Sequence, residues 1–307
     1  MKLLVVFALC AVSAVVFAED EETFALKYLN QYQYISQSRS GNQNVETALK
    51  NFQKFAGIPE TGRVDAATIT QMKKPRCGLP DMDESGLRVR RYKTAEPWGK
   101  KELYYFIQYG RDLPTRTQDN VFYYALKYWA DVSGLSFRQV GRAEHADIKI
   151  SFGSKTHQGT NAESTCGYPF DGQGKVLAHA FFPSDGRAHF DEDEKFTHET
   201  SEGTNLKWVA THEFGHALGL HHTDVKGAIM YPYYTGYVKN MKLHSDDIRG
   251  IQSLYGEYKW WVVWGELWVV WGDVWVIWGY VWCNVWVVWG DEWVVWGDDG
   301  GCMGGMG

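Results

Sequence analysis

The sequence predicts an α+β protein in which a small all-helical domain precedes a larger domain of interleaved helices and strands. Between about Glu22 and Met72, apolar residues recur at helical spacing. From Glu102 onward, strand-like alternation is interrupted by helical faces. The length of 307 residues suits about two folded units of roughly 150 residues each. A net charge of -6 without any block of Lys and Arg gives no electrostatic reason to expect nucleic acid as a partner.

Residues 1–18 read as a signal peptide: Lys2, an apolar run from Leu3 to Phe17, and a small-residue end at Ala18. The run is shorter than the roughly 20 residues that span a bilayer, so export is expected and a transmembrane segment is not. Residues 19–74 form the helical domain. Phe24, Tyr28, Leu29 and Tyr32 mark one helix, and Val45, Ala48, Leu49, Phe52 and Phe55 a second. Turn residues Gly57, Pro59 and Gly62 precede a third helix starting near Asp65.

Residues 75–91 are a charged, Pro- and Gly-containing linker, PRCGLPDMDESGLRVRR. In residues 92–258, ELYYFIQY and ADIKISF read as strands, and Val121, Tyr124, Ala125, Tyr128 and Trp129 line one helix face. The stretch from Gly153 to Phe196 reads as loop-rich, with helices following at Asn205–Leu220 and Ser245–Tyr255. Residues 259–307 are a low-complexity tail of imperfect WVVWGD-like units carrying twelve of the fifteen tryptophans. Short strands broken at Gly are expected there, and the aromatic faces suit either sugar binding or no selected role.

The chemistry concentrates in THEFGHALGLHHT. On a helix, His212 and His216 lie four apart on one face, so both imidazoles can reach one metal ion. Gly219 lets the chain leave the helix sharply and return His222 as a third ligand. Three protein ligands leave zinc a fourth position for water, the pattern of a catalytic site. Zinc lowers the pKa of that water to about 7, and Glu213, next to the first ligand, is placed to take its proton as general base. Peptide-bond hydrolysis is the expected reaction.

Five cysteines are present, of which Cys10 would leave with the signal peptide. The remaining Cys77, Cys166, Cys283 and Cys302 are too few for a disulfide framework.

Together, HExxHxxGxxH, PRCGLPD and Ala228-Ile229-Met230-Tyr231-Pro232 resemble the matrix metalloproteinases, matrixins of the metzincin clan. The order FQKFAGIPETGRVDAATI resembles the peptidoglycan-binding-like fold of their propeptides. The resemblance implies a twisted mixed β-sheet with three helices, preceded by an all-α propeptide. It further implies that Cys77 ligates the catalytic zinc in the zymogen, that Arg76 and Asp81 pair to hold this cysteine switch, and that Met230 is a methionine turn beneath the metal. RVRR ending at Arg91 fits activation by a furin-like convertase, after which the new amino terminus would pair with Asp246 or Asp247.

By the same resemblance His157, His179 and His189 bind a second, structural zinc, and Asp171, Asp191 and Glu194 bind calcium. The family places an Asp two residues after the first structural histidine. Here Gly159 stands there, followed by an insertion, NAESTCGY. The fourth ligand is therefore open among Glu163, Asn161 and water, and Cys166 is open as ligand, disulfide partner or free thiol.

The strand KVLAHAFF, with Leu177 and Ala178, would border the cleft as an edge for extended substrates. With Val209, Pro232 and Tyr234, Leu177 would line an apolar pocket beside the zinc. Expected partners are extracellular matrix proteins as substrates and tissue inhibitors of metalloproteinases; the family's propeller domain is not expected. The competing reading is a catalytically silent matrix-adhesion protein, or a metzincin of another family.

Overall fold

The computed structural model describes residues 20–35, 44–82, 96–157 and 166–257, and four strands of the tail. The expected signal peptide, the Arg91 cleavage site, Gly159, Asn161 and Glu163 lie outside the described residues.

Helix α1 (Glu21–Gln31) starts with two acids in its first turn, where they favour the positive end of the helix dipole. Helix α2 (Val45–Ala56) is capped by the Asn44 side chain and stopped by Gly57 at φ 63°. Helix α3 (Ala66–Met72) begins where Asp65 accepts from the Thr68 amide at 2.8 Å. Leu29, Phe52 and Ile69 bury one core between them. The fully buried Gln53 donates to Thr61 and Thr68 and accepts from Gly62, which ties the 57–65 turn to α2.

The second core lies between a sheet and two helices. Strand β1 is Arg76–Cys77, β2 is Glu102–Ile107, and α4 runs from Thr115 to Ala130. Strands β3 (Ser136–Gln139), β4 (Ile148–Gly153), β5 (Val176–Ala180) and β6 (Arg187–Asp191) follow. Next come a two-strand ladder, β7 (Phe196–Thr197) with β8 (Thr204–Asn205), and helices α5 (Leu206–Ala217) and α6 (Ser245–Tyr255).

The sheet order is β1-β5-β6-β4-β2-β3, parallel throughout except for β5 against β6. Phe122, Phe190 and Phe214 pack ring on ring between α4, the sheet and α5, and Trp129 donates to the Thr211 carbonyl at 2.9 Å. The helix expected over Asn205–Leu220 is shorter at both ends, because Asn205 is its cap and the chain turns at Gly219. Strands β3 and β6 were not expected, and β6 lies in the stretch read as loop-rich.

The helical domain and the sheet domain form one compact unit, because Tyr231 and Tyr233 of the second belong to the core of the first. The tail is a separate unit in which β9 (Val274–Gly279), β10 (Asn284–Trp289), β11 (Glu292–Trp296) and β12 (Cys302–Gly305) pair in sequence, all antiparallel. The expectation of short strands there agrees with this pairing. Among the described residues no helix is long and apolar enough to cross a membrane.

Candidate metal centre and active site

Helix α5 is buried along its whole length except at Lys207. His212 and His216 lie one turn apart on it, and the helix ends in paired bonds from Gly219 N to the His216 carbonyl (2.8 Å) and from Leu220 N to the Gly215 carbonyl (2.9 Å). Gly219 adopts φ 101°, which an L side chain would strain, and the turn carries His222 back to the helix.

Each of these histidines engages an obligate acceptor with its outer nitrogen. Nδ1 of His212 faces the Ile229 carbonyl at 2.6 Å, that of His216 the Leu220 carbonyl at 2.7 Å, and that of His222 the Asp81 carboxylate at 2.8 Å. A carbonyl or carboxylate cannot donate, so each Nδ1 carries the proton and each Nε2 a bare lone pair. Burial holds the rings neutral, lowering His212 to about 3 and His216 and His222 below their usual range.

The three Nε2 atoms nonetheless stand 3.1 Å (His212 to His216) and 3.3 Å (His212 to His222) apart. With no proton between them these contacts repel. A cation at their centre reverses the sign, and ligands at 2.0–2.1 Å in a tetrahedron would be about 3.3 Å apart.

Cys77 supplies the fourth corner, with Sγ 3.5 Å from His216 Nε2. A tetrahedral zinc with Zn–S of about 2.3 Å implies about 3.6 Å for that edge. Burial and the nearby Glu213 push the Cys77 thiol well above its usual pKa, so a thiolate here needs a bound cation. The donor set and its spacing both fit zinc.

Glu213 is 1% exposed, with Oε2 lacking any hydrogen-bond partner among the described residues, and burial raises its carboxyl to about 8. Met230 packs beneath the helix, where a Cβ on Gly215 would collide with its Sδ. Asp247 fixes that turn by accepting from the amides of Ile229 (2.9 Å), Met230 (3.0 Å) and His244 (2.8 Å). Asp246 accepts from the Thr223 hydroxyl at 2.9 Å.

The segment bearing Cys77 is threaded between β5 and residues 232–234. The Arg76 amide donates to the Lys175 carbonyl (2.8 Å) and that of Gly78 to the Ala178 carbonyl (2.9 Å) on one side. On the other, Cys77 N donates to the Pro232 carbonyl (2.9 Å) and Tyr234 N to the Pro75 carbonyl (3.0 Å). Arg76 is 1% exposed, forms a two-pronged pair with Asp81 (2.6 and 2.9 Å) and stacks on Tyr32 with its guanidinium 3.6 Å from the ring centroid. Arg76 holds the Asp81 carboxyl far below the usual carboxylate range against the opposing cost of burial.

Of the expected pocket residues, Leu177, Ala178 and Val209 are buried. Tyr234 packs edge-on to Trp208 and accepts from the Asn205 amide at 2.8 Å. A separate cavity of about 320 Å³ lies along the switch, lined by Leu79, Pro80, Met82, Ala180, Phe181 and Phe182, and none of the expected pocket residues borders it.

The structure brings His157, His179 and His189 together, with Cys166 beside them. Burial, with Asp171 nearby, raises the proton affinity of Asp191 and Glu194, and Asp191 Oδ2 is buried without a partner among the described residues. The contact of Asp81 with His222 had no signal in the sequence, because no periodicity relates residues so far apart in the chain.

Three inward lone pairs that only a cation reconciles, with a carboxyl group one residue from the first of them, place the chain in the class of zinc metallopeptidases. The comparisons narrow this further. Residues 97–256 match the matrixin model and residues 24–72 that of the putative peptidoglycan binding domain. The chain belongs to the matrixins, a family of zinc-dependent metalloendopeptidases.

It is 45% identical over 218 residues to the hatching enzyme of Paracentrotus lividus, covering 70% of this chain and 35% of that one. It is 43% identical over 231 residues to human matrilysin, covering 74% and 82%. It is 40% identical over 253 residues to mouse matrix metalloproteinase-19, covering 80% and 46%. The chain thus spans less than half of the first and third of these relatives and most of matrilysin.

Proposed function

We propose that this protein is a zinc-dependent endopeptidase, secreted as a zymogen, that cuts proteins of the extracellular matrix or other extracellular proteins. The observation that carries the reading is Cys77 Sγ standing 3.5 Å from His216 Nε2, within the same cluster as His212 and His222 and beside the buried Glu213. Zinc bound by the three histidines supplies Lewis-acid polarisation of the substrate carbonyl and an acidified water.

The chain's own residues do the rest. In the zymogen Cys77 excludes water from the fourth position, and the Arg76–Asp81 pair holds it there. With residues 19–91 removed, Glu213 takes a proton from the attacking water and returns it to the leaving amine. The β5 edge, whose Lys175 and Ala178 carbonyls now accept from the switch, is left for an extended substrate. Leu177, Ala178, Val209, Pro232 and Tyr234 then favour a large apolar side chain after the cut bond.

Cleavage after Arg91 by a furin-like convertase, pairing of the new terminus with Asp246 or Asp247, and blockade by tissue inhibitors of metalloproteinases belong to the same reading. So do calcium at Asp171, Asp191 and Glu194 and a second zinc at His157, His179 and His189. In the test, convertase treatment of the full chain yields a chain starting at Tyr92 that cleaves an unstructured peptide. Glu213→Gln keeps its zinc and loses at least about 100-fold in kcat. A chain correctly cut after Arg91 that cleaves no peptide would overturn the reading in favour of a silent adhesion protein.

A further inference from the structure

We propose that Cys166 is a thiolate ligand of the second metal site, which is thereby a closed tetrahedral zinc centre built from His157, Cys166, His179 and His189. This deepens the reading of a second metal position and does not depend on peptidase activity.

The residues arrive from three places. His157 follows β4, His179 sits on β5 and His189 lies opposite it on the antiparallel partner β6. A Cβ on Gly153 would stand 2.6 Å from the His157 Cβ, so the close return of the chain after β4 depends on that glycine. The chain then comes back to the same place. The Cys166 amide donates to the His157 carbonyl at 3.1 Å, the Phe170 amide donates to the Lys155 carbonyl at 2.9 Å, and the Phe170 ring stacks on His157 at 4.5 Å. These contacts set Cys166 Sγ 3.2 Å from His179 Nε2.

The ring atoms repeat the logic of the catalytic cluster. His157 Nδ1 donates to the Lys155 carbonyl at 2.9 Å, so its Nε2 is a bare lone pair, and that atom faces His189 Nδ1 at 3.0 Å. His179 Nε2 faces the same His189 atom at 3.2 Å. One nitrogen cannot accept from a neighbour that has no proton, and one hydrogen cannot satisfy both contacts. All four side chains are buried, at 7% exposure or less, and all four candidate donor atoms lie within 4.8 Å of one another.

Nitrogen–nitrogen edges of about 3.3 Å and a nitrogen–sulfur edge of about 3.6 Å are those of a tetrahedral zinc site, and the observed spacings are a few tenths shorter. The outer nitrogens, His179 Nδ1 and His189 Nε2, have no partner among the described residues. Of the three rings, only His157 is thus fixed by an outer hydrogen bond among the described residues. With four protein donors it has no open position, the mark of a structural site. The thiolate replaces the carboxylate expected near residue 159, and it does so from within the inserted residues.

The test uses the full chain carrying Cys77→Ser and Glu213→Gln, which removes the other buried thiol among the described residues and prevents self-digestion. Metal analysis is expected to give two zinc ions per chain. Exchange with cobalt(II) is expected to give a near-ultraviolet thiolate-to-cobalt charge-transfer band. Adding Cys166→Ala should abolish the band and weaken the second ion by more than the roughly 10–100-fold typical of losing an outer partner. Cys166→Asp should keep two ions without the band, which covers the case in which the alanine variant fails to fold.

A parent chain with two ions and no band, or a band that survives Cys166→Ala, overturns the thiolate assignment alone. One ion per chain, unchanged by His189→Ala, removes the second site altogether and leaves the catalytic reading untouched.

Discussion

Asp81 is buried at 3% exposure, and its two oxygens are divided among Arg76, Tyr34 and His222. A carboxylate hydrogen-bonded to the outer nitrogen of a zinc ligand fixes the ring's tautomer and strengthens the lone pair facing the metal. On the proposed zymogen reading, then, the segment 75–82 supplies Cys77 at the centre and orients His222 from behind. Arg76→Ala would strand the Asp81 charge in a dry site, costing about 3–5 kcal/mol of the latched state. Since about 1.4 kcal/mol is tenfold, the unlatched population should rise at least about 100-fold. The uncut variant should show peptidase activity and rapid Cys77 labelling by a thiol reagent, whereas unchanged latency would mean the pair does not hold the switch.

At Gly215 the limit is space: a side chain would meet Met230 and Trp129. Gly215→Ala should therefore lower stability by about 1–3 kcal/mol, read as a fall in Tm.

His212, Glu213, His216 and His222 were legible because a helix converts sequence spacing into direction, and Cys77 because its motif is compact. The place of Cys166 was not, since it lies within an insertion and is set by how that segment returns to His157, which no local pattern encodes.

At the scale of elements, β1 is a two-residue strand, too short to persist by itself, and it exists because the sheet edge and residues 232–234 bond it from both sides. The Cys77 segment occupies backbone groups along β5 that the proposed reading assigns to substrate, so on that reading latency would block docking as well as water. The helices of the first domain were readable from their apolar stripes and caps. Asp65→Ala removes the cap of α3 and should cost about 1 kcal/mol, measurable as a lower urea midpoint for the full chain. An unchanged midpoint would show that the cap does not stabilise the helix.

Strands β3 and β6 escaped the sequence reading for opposite reasons. β3 is short and mostly exposed, and β6 is buried on both faces, so neither shows alternation.

At the scale of the whole molecule, two histidine clusters bring together separate segments of the sheet domain. Removing metal should return each cluster to repelling lone pairs, so a strong chelator is expected to lower Tm, and excess zinc to restore it. A Tm indifferent to chelation would mean that neither cluster holds an ion in solution.

The helical domain and the sheet domain also share one apolar interior through Tyr231 and Tyr233, at 5% and 2% exposure, with the Tyr233 hydroxyl 2.7 Å from that of Tyr28. On the proposed activation, loss of the helices would pass these two phenols from a buried surrounding into water. A phenol's near-ultraviolet absorption responds to that change, so maturation should leave an optical trace in unlabelled protein. The progress of processing could then be followed in a spectrophotometer without any substrate present.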